Sequence, residues 1–330
     1  MLKHTTPIAL DEASFSIHYQ DTIVSMGSCF AQNIAGYLDD KFYTINSNPF
    51  GTLYNPLSIR NSLGLLLNQY EFQKEDLFLH HGLWHSFQHH SSFSSTDPLQ
   101  TLENINIAAV KARIKLQEAN VLIITLGTAW VYELKATNQV VSNCHKVPSN
   151  RFRRKRLTVE EIVAQLGAIL AYLQNKNPNL QIILTVSPIR HLKDGFVENQ
   201  ISKSILLLAV QEMVQRAHYI HYFPAYEIMM DDLRDYRYYA DDLVHPSRLA
   251  IDYIWKLFSE HYLAPKEAAL RKKIGKLQAA MTHRPFNPHS DAHQKFIQQQ
   301  LQQIETIHRK APFINLDKAR QHFKTQLIAH

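Results

Sequence analysis

The sequence has little cysteine and no long apolar run. Cys29 and Cys144 are the only two cysteines in 330 residues, too few for a disulfide framework and not spaced as a metal-binding knuckle, which is typical of a reducing compartment. No segment approaches the roughly 20 apolar residues that span a bilayer. The N-terminus lacks the apolar stretch of a secretory leader. We therefore expect a cytoplasmic protein with no membrane partner.

Positive charge is in excess, but it is unevenly placed. The formal net charge is +6, and much of the excess lies in the run RFRRKR at 151–156 and in the C-terminal tail. A basic run before a helix start is usually a solvated turn, although contact with phosphates or an acidic polymer is the alternative. We do not expect a nucleic-acid partner.

Predicted strands and helices alternate along the chain. Short β-branched or aromatic runs predict five strands, at 22–26, 42–46, 121–127, 181–187 and 218–224. Amphipathic segments predict the intervening helices, at 29–40, 56–69, about 100–119, 158–176 with Thr158 as N-cap, and about 198–217. This alternation indicates an α/β fold, a three-layer, doubly wound, flavodoxin-like parallel sheet of five strands.

Two insertions and a helical end complete the chain. The insertions lie at 70–99 and 130–148, the second with a hairpin that turns at 136–139, and insertions at strand ends often cover pockets. After about residue 263 the sequence is polar and helix-prone. We predict a hydrolase-like domain at 1–262 and a helical extension at 263–330 that the chemistry does not need.

The tripeptide Gly27-Ser28-Cys29 follows the first predicted strand. In open parallel sheets ligands bind at the carboxyl ends of strands, and the next helix directs its N-terminal N–H groups at the same place. Ser28 is either a nucleophile or only a helix cap. We predict that Ser28 is exposed at the strand end and that Cys29 packs in the core, with a thiol nucleophile as the opposite outcome.

A candidate base lies near the other end of the domain. Asp242 and His245 are three residues apart, just before Pro246, a favoured first helical residue. An aspartate at this spacing can hold the histidine Nδ1 and stabilise the imidazolium. The alternative is an exposed helix cap with an incidental histidine.

Several ordered motifs point to one family. The sequence resembles the GSCFA-domain family within the SGNH/GDSL hydrolases over about residues 10–262, in the motifs GSCFA (27–31), NPFGTLYNP (48–56), TLGTAWVYE (125–133), NCHKVP (143–148), SPIRHLKDG (187–195), YFPAYEIMMDDLRDYR (222–237) and DDLVHPS (241–247). The resemblance implies Ser28 as nucleophile with His245 and Asp242. It also implies oxyanion donors at Ser28 and Gly51. We expect no metal or cofactor.

One block departs from the superfamily pattern. Where Gly-x-Asn-Asp is usual, this sequence has Gly127, Thr128, Ala129 and Trp130, and alanine has no side-chain donor. Losing one oxyanion donor can cost on the order of 100- to 1000-fold in rate. Either Thr128, Asn48 or another N–H substitutes, or activity is weak.

Other polar residues near strand ends are candidates for substrate contact. The histidine-rich stretch at 80–93 reads as extended chain rather than a metal-binding helix, and we expect His85 to line the pocket. The other predicted substrate-binding residues are Tyr132, His145, Lys146, Arg190 and His191, of which Arg190 suits an anionic group. For 143–152 a solvated loop is the alternative.

The sequence thus predicts a serine esterase or acyltransferase that acts on a small-molecule or glycan ester, most simply an O-acylated carbohydrate. A catalytically silent binding protein for an anionic glycan or nucleic acid is the alternative, favoured by Ala129 and the basic charge. The sequence gives no oligomeric state.

Overall fold

The computed structural model describes residues 6–327. The prediction that the N-terminus lacks a secretory leader falls partly on residues 1–5, which lie outside this range. The strands are β1 (Thr22–Gly27), β2 (Thr44–Ser47), β3 (Leu77–His80), β4 (Leu83–Ser86), β5 (Val121–Leu126), β6 (Trp130–Leu134), β7 (Gln139–Val141), β8 (Phe152–Arg156), β9 (Gln181–Val186) and β10 (Ile220–Phe223). The helices are α1 (Cys29–Asp40), α2 (Pro56–Leu67), α3 (Pro98–Gln117), α4 (Val159–Lys176), α5 (Phe196–Arg216), the single turn α6 (Ala225–Glu227), α7 (Arg248–Tyr262), α8 (Ala268–Thr282), α9 (Asp291–Lys310) and α10 (Asp317–Lys324).

The central sheet has the order β10-β9-β5-β1-β2, and every neighbouring pair is parallel. The chain goes from β1 to β2 on one side and then crosses to β5 on the other. The order therefore reverses between β1 and β5, and the carboxyl ends of these two strands mark the switch point, where such sheets bind ligands. The predicted α/β fold is confirmed.

Hydrophobic cores lie on both faces of the sheet. Alternate residues of β1 point to opposite faces, with Val24 and Met26 in the core under α2 to α5 and Ile23 in the core under α1 and α7. All three side chains are fully buried. The three-layer arrangement follows directly from strands that are apolar on both sides.

Two small antiparallel sheets accompany the central one. β3 pairs with β4, and β6 pairs with both β7 and β8, so the predicted hairpin at 136–139 is present. The prediction of a turn at 151–156 is wrong, because residues 152–156 of this run form β8. The four basic side chains of β8 each pair with a carboxylate: Arg153 with Glu133, Arg154 with Asp194, Lys155 with Glu161 and Arg156 with Glu198.

The C-terminal segment is helical, as predicted, and it packs on the main domain. Ile274, Ile297 and Phe323 are buried in the same core as Phe30 and Ile34 of α1. The three helices α8 to α10 therefore share the core on the α1 side of the sheet. Within residues 6–327, no helix combines the length and apolar character needed to cross a bilayer.

Candidate active site

The turn after β1 depends on a glycine. Gly27 has a φ of +140°, and a Cβ at this position would lie 2.2 Å from the Thr125 carbonyl oxygen of β5. Its N–H donates to Asn48 Oδ1 (2.8 Å), and its carbonyl accepts from the N–H of Leu53 (2.8 Å). The turn at the switch point is thus held by β5 on one side and by the segment that follows β2 on the other.

The two residues after Gly27 are placed opposite to the prediction. Ser28 is only 1% exposed, and its Oγ has no hydrogen-bond partner within the described chain. Cys29 is half-buried and lines a cleft. Ser28 still has an extended backbone (φ −67°, ψ 174°), so the chain turns away from the strand one residue later than predicted. Cys29, the first residue of α1, therefore faces the edge of the sheet.

The cleft has a volume of about 700 Å³ and contains the nucleophile and base candidates together. Cys29 lines it together with Tyr54 and Thr128, and His245 comes from the loop before α7. Ser28 does not line this cleft. The lining residues used below are Trp130, Tyr132, Cys144, Lys146, Arg154, Arg190, His191, Lys193 and Asp194.

Asp242 and His245 form the predicted pair. His245 Nδ1 lies 2.6 Å from Asp242 Oδ2, and both side chains are about half exposed, at 51% and 50%. The N–H groups of His245 and Val244 donate to Asp242 Oδ1 at 2.9 Å each. These backbone donors, followed by the His245 ring, lower the pKa of Asp242 to about 2. The carboxylate therefore stays ionised and can hold Nδ1–H at neutral pH.

The loop that carries this pair is held by Arg190. One guanidinium nitrogen donates to the Leu243 carbonyl (2.5 Å), and the guanidinium lies 4.6 Å from the centre of the Tyr239 ring. The loop turns at residues 241–245, Pro246 bridges to Tyr239, and α7 begins only after Ser247, two residues later than the sequence predicted. Arg190 lines the cleft, as predicted, but its guanidinium is largely committed to this loop.

The predicted oxyanion donors are occupied. The N–H of Ser28 donates to Thr125 O (3.1 Å), that of Gly51 to Asn48 O (2.7 Å) and that of Thr128 to Tyr54 O (2.9 Å). The Thr128 hydroxyl contacts Ser202 Oγ (3.0 Å), and Ala129 is in the core. Asn48 uses Oδ1 on Gly27 and lies outside the cleft, with Nδ2 buried. The Gly51 N–H closes a local turn, whereas the N–H groups of Ser28 and Thr128 donate to carbonyls distant in the chain, so none of the three is free to bind an oxyanion.

The first turn of α1 offers other donors. The Ser28 side chain makes no N-cap hydrogen bond. The first N–H groups of α1 are therefore not bonded to the Ser28 hydroxyl. The N–H groups of Cys29 and Phe30 lower the pKa of the Cys29 thiol, although burial, the larger effect, raises it overall. An anion that forms at Cys29 would therefore meet two N–H groups and the positive end of the helix dipole.

The substrate-binding predictions divide into two groups. Tyr132, Lys146, Arg190 and His191 line the cleft, whereas His85 and His145 do not. His85 uses Nδ1 on Ser94 Oγ (2.6 Å) and packs at 4.4 Å against the ring of His145. His145 Nε2 donates to the Ser86 carbonyl (2.8 Å). Both imidazoles support the β3–β4 hairpin, and no group of three or more possible metal ligands occurs in the described chain.

Lys203 was missed by the sequence analysis. It lies on α5 with a side chain that is 0% exposed, and its Nζ donates to the carbonyls of Gly127 and Ser187 at 2.7 Å each. These carbonyls directly follow β5 and β9, beneath the cleft. A lysine between two serines on a helix gives no sign of burial.

Family comparison identifies the chain. The model of the GSCFA family matches residues 22–258, and a second model, the C-terminal domain of GSCFA domain proteins, matches residues 274–329. The chain belongs to the GSCFA family. No match to a curated protein was found. Among solved structures, an acetyl xylan esterase (Est2A) from the rumen bacterium Butyrivibrio proteoclasticus matches at 12% identity with a TM-score of 0.32, over 81% of this chain and 65% of the esterase chain.

Proposed function

We propose that this GSCFA protein cleaves or transfers an ester by covalent catalysis, with Cys29 rather than Ser28 as the nucleophile. The observation that carries the proposal is that Cys29 and His245 line one cleft at the switch point, while Ser28 is buried outside it. Asp242 holds the imidazole of His245 at 2.6 Å. A nucleophile, a base and a group that orients the base are the parts that acyl transfer requires.

The reaction has two steps. The Cys29 thiol gives its proton to His245 Nε2 as Sγ attacks the ester carbonyl, and Asp242 stabilises the imidazolium. The oxyanion faces the N–H groups of Cys29 and Phe30. The alkoxide leaves with the proton from His245, and a thioester remains. Water, or a second hydroxyl compound in a transferase, then loses its proton to His245 and attacks the thioester. The acyl–sulfur bond breaks, and Cys29 Sγ takes the proton back from His245.

The chemistry of the cleft favours an O-acylated carbohydrate with an acidic group. Trp130 and Tyr132 supply aromatic surface. The only carboxylate among the lining residues, Asp194, is paired with Arg154. Lys146 and Lys193 have no carboxylate partner within residues 6–327. An anionic sugar ester would supply the missing charge.

Paired substitutions test the nucleophile. We expect Cys29→Ala to lower the rate of 4-nitrophenyl acetate hydrolysis by at least about 100-fold, because the covalent step is lost. Ser28→Ala is the matched control and should keep most of the activity, since its hydroxyl is buried without a partner. An acyl group trapped on Cys29 would be seen by mass spectrometry.

The reverse result would contradict the thiol assignment. An inactive but folded Ser28→Ala protein, together with an active Cys29→Ala protein, would restore the serine mechanism.

Binding without catalysis is a second candidate, favoured by the unpaired lysines of the cleft and by Ala129. In that case an anionic glycan would bind equally well to the Cys29→Ala protein, and its affinity would fall steeply with salt. Measurable Cys29-dependent turnover would exclude a silent protein.

A further inference from the structure

The buried side chain of Lys203 lacks the partner that its charge requires. Its Nζ donates to two carbonyls, but no carboxylate of the described chain pairs with it. A buried ammonium without a counter-charge is costly, and an apolar side chain would fill the same space. An ammonium also has three N–H donors, and the contacts with Gly127 and Ser187 use two of them.

The surroundings of Lys203 show what the charge faces. Its two carbonyl partners end β5 and β9, next to the turn that carries Cys29. The other titratable groups within electrostatic reach are Cys29, His191 and Tyr226, whose ring centre lies 5.8 Å from Nζ. Burial and then Lys203 lower the pKa of His191 to about 4, so this imidazole is neutral at pH 7 and supplies no counter-charge. Of these groups, Cys29 is the one that the proposed reaction converts to an anion.

We propose that Lys203 is the buried counter-charge of the Cys29 thiolate. It acts through Cys29 as a positioning residue, since it does not reach the cleft surface. The two carbonyls fix Nζ, so the ammonium is organised before the reaction and needs no rearrangement when the negative charge forms.

The interaction between the two groups is mutual. Lys203 lowers the pKa of Cys29 against the larger effect of burial, and Cys29 raises the pKa of Lys203, which burial brings down to about 7. The charged forms of the two side chains therefore favour one another. The catalytic use of this pair rests on the proposed function, but the electrostatic coupling does not.

Thiol alkylation tests the coupling directly. The rate of Cys29 modification by iodoacetamide would be measured against pH in a Cys144→Ser background, because Cys144 lines the same cleft. In Lys203→Met we expect the midpoint of the pH profile of the alkylation rate to rise by about one pH unit or more. The reaction near neutral pH should then be roughly tenfold slower. Lys193→Met is the matched control, since Lys193 acts on Cys144 and not on Cys29, and its midpoint should stay unchanged.

An unchanged midpoint in folded Lys203→Met would overturn the proposal. If that variant does not fold, the His245→Gln protein serves instead, because its substitution is half exposed. There the rate with anionic iodoacetate, relative to neutral iodoacetamide, should fall as pH rises through about 7 and Lys203 loses its proton. A constant ratio would equally overturn the coupling.

The outcomes separate this proposal from the proposed function. Full ester hydrolysis by Cys29→Ala would remove the thiol mechanism and leave the alkylation shift intact. A missing shift with Cys29-dependent hydrolysis would remove only the role of Lys203.

Discussion

At the scale of single residues, one backbone position decides which side chain reaches the cleft. Ser28 remains extended, and Cys29 is the first residue of α1. Burial raises the pKa of a thiol in this position, and the N–H groups of the helix N-terminus lower it. Burial is the larger effect. A base is therefore needed at neutral pH, which is the task that the geometry gives to His245 and Asp242.

The pKa of Lys203 predicts how stability depends on pH. Its folded-state pKa of about 7 lies below the ordinary 10.5, so between these values the unfolded chain binds more protons. The contribution of Lys203 to stability thus rises with pH across this window and is lost as pH falls through about 7. The melting temperature of Lys203→Met relative to wild type should be highest near pH 6 and decline toward about pH 9. A difference that does not vary with pH would contradict this.

At the scale of elements, the loop from Tyr239 to Ser247 owes its shape to hydrogen bonds across its own ends and to one contact from a distant element. Ser247 N–H donates to the Tyr238 carbonyl (2.7 Å), Ala240 N–H donates to the His245 carbonyl (2.7 Å), and Arg190 holds Leu243 from the β9 side. Leu243 has a positive φ of 55°, a conformation that costs free energy unless neighbours enforce it. The base is therefore placed by Arg190 as much as by its own sequence.

Removal of the Arg190 guanidinium should loosen this loop. We expect Arg190→Met to lower kcat for a neutral ester about tenfold with little change in melting temperature, since a charge-assisted hydrogen bond is lost at a surface loop. Arg248→Met is the matched control, because that arginine is exposed and pairs only within α7 and with Tyr37. Equal kcat values in the two variants would contradict a positioning role.

The sequence predicted the elements better than the details of the site. Local sequence patterns predict buried strands such as β5 and capped helices such as α4. Thr158 is the N-cap of α4, as predicted, because its side chain accepts the Glu161 N–H (3.2 Å). β8 was missed because its strand character depends on pairing with β6, distant in the chain. Three details of the site depend on tertiary packing: the orientation of Ser28, the position of His85 outside the cleft, and the burial of Lys203. Local sequence patterns do not predict such packing.

At the scale of the whole molecule, the C-terminal helices support the site without entering it. No residue after His245 lines the cleft, yet α8 to α10 share a core with α1. Ion pairing between Lys318 and Asp39 joins α10 to the end of α1. The two parts recognised by separate family models are thus packed together through the helix that carries Cys29.

Truncation after Leu263 should therefore reduce stability before it affects chemistry. We expect a markedly lower melting temperature or aggregation, because the core that α8 to α10 share with α1 is opened, but an unchanged kcat for each titrated Cys29 thiol in whatever protein stays folded. Ile304→Ala is the graded control, with a loss of about 2–5 kcal/mol. A folded truncated protein without activity would show that the extension takes part in catalysis.

The position of α1 has a consequence for synthesis on the ribosome. Cys29 emerges early, the loop with His245 much later, and helices α8 to α10, which share a core with α1, after that loop. Until these helices emerge, part of the shared core stays exposed on the nascent chain, a state that favours aggregation or chaperone binding. Catalytic competence thus waits for the loop with His245, and closure of the shared core waits for the helices that follow it.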